Sequence, residues 1–554
     1  MRPRHLRMAI DHGHPGCRAK RVEGVGEPDS VMPPWGWRWT TLSHWPRPLQ
    51  AGVGGDWQGW TKPPDWEREW PESSRKAVRE VLLKQYDQAG LDAPDSLSLL
   101  EETRCRAVTV GHQLVLGGGP AFLHHKILSA LRVARLLSQR EKRPVVAVFW
   151  MASEDHDWKE VATVAGSERD HTWSPDHPNV PHPVGTRSLN GLAEVLQSWA
   201  ADGVPAEEVA SLLRDLEDAR DAGQAYSEVF RRWMHRWYGQ EGLLVLDAED
   251  PELKVLGAEL WASEFSGQGV HAALAGTPHA EGPALVRENN VFWMDNLQGR
   301  VGVVSKGLPG EWKAGAWEVS APEQGWLSWA KGHAAQCSPG VLLRPLYQEL
   351  LLQSVAVVLG PGEWNYWHQL PTAFERHGLP FPALRLRDHG VVMSPDTFAA
   401  GWGLDDGWMH DEEWDSWVLD RWLGEHEREW NEMSSELARW TAGVEAWSSE
   451  VVPSASGAMG AFDASVQKAW SQFLKKVRRA LKGQRAEEWA QARRACGWLM
   501  RRGTPQDRWA NWHVLAGSSK EAKRWEEAWL DEGAGLETRV WCFGPLDGKT
   551  SSSD

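Results

Sequence analysis

Two apolar runs, Arg106–Val110 and Val145–Met151, enclose a stretch with helical period, and few folds accommodate that combination. Leu123, Ile127, Leu131, Ala134 and Leu137 recur on one helical face to about Gln139, and Pro120 stands where a first helical residue should. Pro144 stops the helix before the second run. Two apolar strands joined by one long helix form a parallel pair with a right-handed crossover. The fold class is therefore expected to be α/β, with a Rossmann-like parallel-sheet core.

A second unit of the same kind lies further along. Leu343–Glu349, with Tyr347, leads a helix, and Val355–Leu359 reads as a buried strand. Gly360, Pro361, Gly362 and Glu363 turn into a helix carrying Tyr366, Trp367 and His368, and residues 380–386 return as a strand. Between the two units, residues 192–237 are amphipathic and helical, and 242–247 read as a strand. Two hairpin-like strands are expected around Ala284 and Gly302, so about 180–330 are read as sheet continuation with inserted segments.

From residue 411 the period changes. Leu423, Trp430, Leu437, Val444 and Val451 share one seven-residue register, and Leu419, His426, Met433, Trp440 and Trp447 share another. A loop follows, then a second arm with Val466, Trp470, Phe473, Val477 and Ala480. The first arm is acidic and the second basic (Lys475, Lys476, Arg478, Arg479, Lys482), which predicts an antiparallel α-helical coiled-coil hairpin. Such a hairpin either packs on its own domain or mates with its copy, and a homodimer is expected. The expected organisation is an N-terminal extension (1–35, disordered), a catalytic core (36–400), the coiled coil (405–500) and a C-terminal segment (501–554) returning to the core with a disordered tail.

Composition narrows the function classes. A formal charge of −16 argues against generic binding to a nucleic-acid backbone. No stretch approaches the roughly 18 apolar residues of a membrane helix, and no secretory apolar region follows the basic N-terminus, so a cytoplasmic protein is expected. Cys17, Cys105, Cys337, Cys496 and Cys542 are scattered and never in a CxxC pair, which argues against a disulfide framework or a cysteine-ligated zinc. The 38 tryptophans are spread along the whole chain and read chiefly as large core residues replacing other hydrophobes.

In open parallel sheets, ligands sit beyond the carboxyl ends of the strands. Three loops belong there: His112 and Gln113 with the Gly117–Gly119 run, Ser153-Glu154-Asp155-His156-Asp157, and Gly360–Glu363. Each has a plain alternative, as a solvated acidic turn, a flexible glycine turn, or surface residues at His124, His125 and Lys126. Their conjunction favours a site. The helix after Gly119 would offer free N–H groups to an anion, with His125 and Lys126 adding charge. The acidic strand end would hold an ammonium group or accept a proton. The glycine loop lacks both GxGxxG and GxxxxGK[ST]. His112, His125, Asp155 and His156 match no zinc spacing, and no metal is expected.

The runs "GHQLVLGGGPAFLHHKILSALRVARLL", "PVVAVFWMASEDHDWKEV" and "LLRPLYQELLLQSVAVVLGPGEWNYWHQLPTAFERHGLPFPALRLRD" resemble the bacillithiol biosynthesis cysteine-adding enzymes, the BshC family. "TPQDRWANWHVL" is similar to that family's Leu-Gln-Glu-Arg motif with a following Asn, here Gln506, Arg508 and Asn511. The resemblance runs from about 40 to 545, and it departs at Val110-Gly111-His112-Gln113, where the family usually has Thr-Gly-Gln-Gln. It implies a Rossmann-like core with inserted connecting segments, a dimerising coiled coil, and a ligase joining the cysteine carboxylate to the amine of glucosaminyl-malate. ATP, with magnesium, is the expected cosubstrate through an acyl-adenylate, by analogy with class I aminoacyl-tRNA synthetases.

Under that reading, backbone N–H groups near Gly119 with His125 and Lys126 stabilise developing charge, and Asp155 or His156 holds an ammonium or takes a proton. Arg344 pairs with malate carboxylate or ties loops together. Gly362 permits close approach, with Glu363 and Tyr366 toward the sugar, and Gln506, Arg508 and Asn511 are second-site or nucleotide-binding candidates. The competing class is a non-catalytic nucleotide or metabolite-binding scaffold that dimerises through its coiled coil.

Overall fold

Short aliphatic runs bounded by turn residues, apolar on both faces, suit a parallel sheet covered on both sides. In the computed structural model they form β1 (Arg106–His112), β2 (Val145–Met151), β3 (Leu243–Asp247), β4 (Ala356–Leu359) and β5 (Ala383–Leu386). The strands pair in the order β5-β4-β1-β2-β3, and every pairing is parallel. The chain order reverses between β1 and β4, so a crevice opens there at the carboxyl edge. The structure describes residues 19–22, 60–392 apart from 68 and 175–179, 418–419, 422–423, 427–501, 504–530 and 540–543.

Helix α1 (Ala121–Glu141) makes the crossover from β1 to β2 and buries fourteen of its 21 residues, including His124, His125 and Lys126. It ends where Lys142 adopts a left-handed conformation (φ 49°) and its N–H returns to the Ser138 carbonyl. Helices α2 (Arg344–Leu352) and α3 (Pro361–Trp367) flank β4. Trp150, Trp233, Trp261, Trp367 and Trp529 are fully buried, so the tryptophans serve here as core volume.

The inserted hairpin lies later than expected. Val291–Asp295 and Gly299–Gly302 pair antiparallel, and Cys337–Pro339 adds a third strand beside the first. Ala284 is instead irregular backbone, its N–H donating to Gln369 Oε1 at 2.8 Å. Ala19–Val22, inside the extension expected to lack structure, pairs with Val540–Phe543, which pairs in turn with His389–Val392. The remainder of that extension lies outside the described residues.

The chain divides into two units, one built from 38–392 with 507–546, the other mainly from 393–506. In the second, α4 (Glu427–Val451) and α5 (Ser456–Gln484) are joined by a short turn at Pro453–Ala455. The half-buried stripe of α4 is Ser434, Leu437, Thr441, Val444 and Ser448. Met433, Trp440 and Trp447, expected in the seam, are exposed at 46, 55 and 63%. On α5 the half-buried apolar positions are Met459, Phe462, Val466, Trp470, Leu474, Val477 and Leu481, so Leu474 and Leu481 replace the expected Phe473 and Ala480. His426 lies outside the described residues, and Leu419 and Leu423 precede α4.

Candidate functional site

At the carboxyl edge of the sheet lies a cavity of about 1010 Å³. Gly111, His112 and Gln113 reach it from the end of β1, and Glu154–Asp157 from the end of β2. Gly360–Glu363 come from the turn after β4, and Arg387 from just past β5. Phe122 and Lys126 enter from the first turns of α1, Arg344 from α2, Tyr366 from α3 and Arg508 from the returning C-terminal segment. The inserted hairpin supplies Phe292 and Arg300.

The charges are arranged as pairs. Lys126 is 1% exposed, and its Nζ donates to Glu363 Oε2 at 2.5 Å and to the Gly111 carbonyl at 2.6 Å. Burial pushes the Lys126 ammonium below its ordinary pKa, although Glu363 opposes this. Burial also works against the charge on Glu363, but Lys126 and the Gly360 N–H outweigh it and hold the carboxyl low. Asp155 accepts from Arg300 Nη1 at 3.2 Å, from Gln113 Nε2 at 2.6 Å and from the His156 N–H at 2.8 Å. These partners overcome its burial and hold Asp155 below the usual carboxylate range.

Arg300 is fixed from three sides. Its Nε donates to Ser338 Oγ at 2.9 Å, its Nη2 to the Pro339 carbonyl at 2.7 Å, and its guanidinium lies 4.2 Å above the Phe292 ring. His156 shares Arg300 Nη1 at 3.2 Å, and burial and that cation lower its pKa, leaving a neutral imidazole at pH 7. His112 is pushed down to about 4 by burial and the Lys126 charge. Arg344 donates to Gln348 Oε1 at 2.8 Å and Tyr366 Oη at 2.7 Å. Arg387 and Arg508 stand 5.6 and 5.8 Å from the Phe122 ring, so two guanidiniums flank one aromatic side chain.

Thus His112, Gln113, Lys126, Glu154, Asp155, His156, Asp157, Arg344, Gly360, Gly362, Glu363, Tyr366 and Arg508 come together around one cavity. Other candidates do not. His125 is 1% exposed, stacked 4.9 Å from Trp529, with Nδ1 3.9 Å from Asp507. Ser153 is buried and donates to Asp247 Oδ1 at 2.6 Å, and Tyr347 is a core residue whose hydroxyl donates to the Ala248 carbonyl at 3.0 Å. Gln506 is buried and donates to the Trp498 carbonyl at 3.2 Å.

The glycine run corrects the expectation of an anion cradle. Gly117, Gly118 and Gly119 all have positive φ and are buried. A Cβ on Gly118 would meet Trp237 at 2.9 Å and His124 at 2.8 Å. The Gly119 N–H donates to the Leu116 carbonyl and the Ala121 N–H to the Ala510 carbonyl, both at 2.8 Å, so these two donors are already used. Asn511, a nucleotide-binding candidate by sequence, locks this loop instead. Its Nδ2 donates to the Gly117 and Gly119 carbonyls at 3.0 and 2.7 Å, and its Oδ1 accepts the His513 N–H at 2.9 Å.

Sequence reasoning missed Arg300, Phe292, Arg387 and Phe122. Arg387 follows a parallel strand, and the strand-end rule applied to β5 finds it. Arg300 carries no local signal, because only the folded insertion brings it to Asp155.

A family model described as "Bacillithiol biosynthesis BshC, N-terminal Rossmann-like domain" matches residues 57–388. The protein named "Putative cysteine ligase BshC" in Flavobacterium johnsoniae is 28% identical over 57% of this chain and 60% of its own length. Its namesakes in Cytophaga hutchinsonii (30% identical, 56% of this chain and 59% of the relative) and Bacillus licheniformis (28%, 56% and 60%) are similarly related. The matches thus span about three fifths of these relatives' lengths. With the matching model covering the whole parallel sheet and most of the cavity wall, this chain belongs to the bacillithiol biosynthesis BshC family.

Proposed function

We propose that the protein is a cysteine ligase of bacillithiol biosynthesis, forming the amide between the cysteine carboxylate and the glucosamine amine of glucosaminyl-malate. The observation that carries this reading is the charge layout of the cavity. Arg344, Arg387 and Arg508 line it together with Glu154 and the Asp155–Arg300 pair, in about 1010 Å³. Substrates with several carboxylates and an amine need both signs of charge in one enclosure. Arg344, oriented by Tyr366 and Gln348, suits a malate carboxylate, and Asp155 beside Arg300 suits the zwitterionic head of an amino acid. The names of the relatives support the same activity.

A carboxylate does not acylate an amine without activation, and ATP is the proposed cosubstrate, supplying a mixed anhydride of the cysteine carboxyl, with magnesium entering alongside it. Arg387 and Arg508 beside Phe122 are the side chains that would hold its phosphates. Arg508, lowered to about 10 by burial and Arg387, stays cationic at pH 7. The glycine run takes no part, since it is buried under Trp237, Val115 and Trp199 and its Gly119 N–H is used internally. We place the reaction in the cytoplasm; among the described residues no helix is long and apolar enough to cross a membrane. The exposed Met433, Trp440 and Trp447 stripe is the surface through which a homodimer would form.

The test uses the full chain with cysteine and glucosaminyl-malate, with and without ATP and magnesium, followed by mass spectrometry. Bacillithiol with matching AMP supports the ligase and the adenylate; ADP points to an acyl phosphate. Absence of product together with absence of substrate binding would leave the non-catalytic scaffold.

A further inference from the structure

Of the five carboxyl groups at the cavity, three are committed to partners and a fourth, Asp157, is exposed to solvent. Asp155 is held by Arg300, Gln113 and a backbone N–H, Glu160 accepts from Gln113 Nε2 at 2.8 Å, and Glu363 holds Lys126. Glu154 differs. It stands past the end of β2, lines the cavity and is 4% exposed. Among the described residues it forms no ion pair, and the hydrogen bond that its carboxylate accepts comes from its own backbone N–H.

The charged and titratable groups facing Glu154 are Glu249, Lys254, Arg300, Arg344 and Tyr347. Their charges are used elsewhere. Lys254 pairs with Glu249 at 2.6 Å, Arg300 serves Asp155 and the Pro339 carbonyl, and Arg344 donates to Gln348 and Tyr366. A buried carboxyl on a cavity wall, without a donor from a neighbouring residue, is free to exchange a proton with whatever enters.

We propose that Glu154 is the proton acceptor for the amine that attacks the activated cysteine carboxyl. The proposal rests on the ligase reading above. The amine lone pair forms the C–N bond, and the bond from the carboxyl carbon to the phosphate oxygen of the mixed anhydride breaks, its electron pair leaving on that oxygen. The proton shed by nitrogen passes to the Glu154 carboxylate and from there to water. Burial, reinforced by the Glu249 charge, pushes the Glu154 carboxyl up to about 8, near the basicity of a sugar amine. Asp155 and His156, the expected acceptors, are held by Arg300 in states that take up a proton poorly.

The test is the pH profile of kcat/KM for amide formation by the full chain, with Glu154→Gln and Glu154→Asp beside the parent. The parent is expected to gain about tenfold per pH unit and to level near pH 8. Glu154→Gln should lose about a hundredfold or more in kcat with KM little changed, and the limb it retains should be that of the substrate amine alone. Glu154→Asp should keep the parent's limb at a lower kcat, and it decides the matter where the Gln variant fails to fold. Unchanged kcat in both variants overturns the assignment while leaving the ligase intact. A parent that makes no amide from these substrates sinks the ligase reading and this inference with it.

Discussion

Asp507 is a residue whose loss should cost this fold much for a small chemical change. Its Oδ2 accepts from Arg387 Nη2 at 2.6 Å, with both side chains 2% exposed, and His125 and His389 each stand 3.9 Å away. Asp507→Asn keeps the shape and removes the charge, leaving the Arg387 guanidinium buried without its counter-ion. Breaking a buried pair costs about 3–5 kcal/mol. The amide oxygen still accepts one hydrogen bond, which places the expected loss near 3 kcal/mol, or about a hundredfold in the folding equilibrium. The assay is urea unfolding of the full chain at pH 7.5, followed by tryptophan fluorescence. Acid adds a second readout. Burial opposes ionisation of Asp507, but Arg387 together with His125 and His389 outweighs it and holds its pKa well below the ordinary carboxylate value. Its contribution is therefore present above the unfolded value, about pH 4, and is lost as pH falls toward the folded one. The parent should weaken below about pH 4, whereas Asp507→Asn should show a flatter acid limb. Replacing both partners, Arg387→Met with Asp507→Leu, should cost less than the single change. A single variant as stable as the parent, with the same acid limb, would falsify the view that this pair carries net stability.

Lys126→Met leaves the half-buried Glu363 carboxylate without its counter-ion and removes a donor from the Gly111 carbonyl, and a loss of about 2–3 kcal/mol is expected by the same urea titration; Glu363→Gln added to it should recover part of that loss. Asn511→Ala removes the donor to two buried carbonyls and an N-cap, so about 2–4 kcal/mol is expected, with faster hydrogen exchange over residues 117–123. Trp440→Glu with Trp447→Glu should convert a dimer to a monomer by light scattering without moving the unfolding midpoint of the larger unit; an unchanged mass refutes the exposed stripe as the interface.

The βαβ unit was legible because apolar period and proline positions are local facts. Leu123, Ile127 and Leu131 can share a face in one way only, and Pro120 and Pro144 mark where that helix begins and where the next strand can start. The strand-end rule then located His112, Glu154, Asp155 and Gly362 at the cavity, because a parallel sheet puts all its carboxyl ends on one edge. The helical period of the second unit was legible too, but not which residues of α4 are half-buried. Two adjacent registers were both apolar, and packing chose the one with Leu437 and Val444, leaving Trp440 and Trp447 outside.

What only the tertiary structure decided is which polar groups remain available. Gly117–Gly119 read as an open loop, yet Trp237, Val115 and Trp199 pack over it, and Asn511 arrives from the far end of the chain to bind its carbonyls. His125 and Lys126 are neighbours in sequence, but a helix turns about 100° per residue. One therefore points into the Trp529 layer and the other to the cavity. Among five consecutive polar residues after β2, Ser153 is used by Asp247 and Asp155 by Arg300, a residue from the distant insertion. Composition and period establish where a polar cluster lies; which member of it keeps an unclaimed carboxylate depends on partners that the chain brings together only by folding.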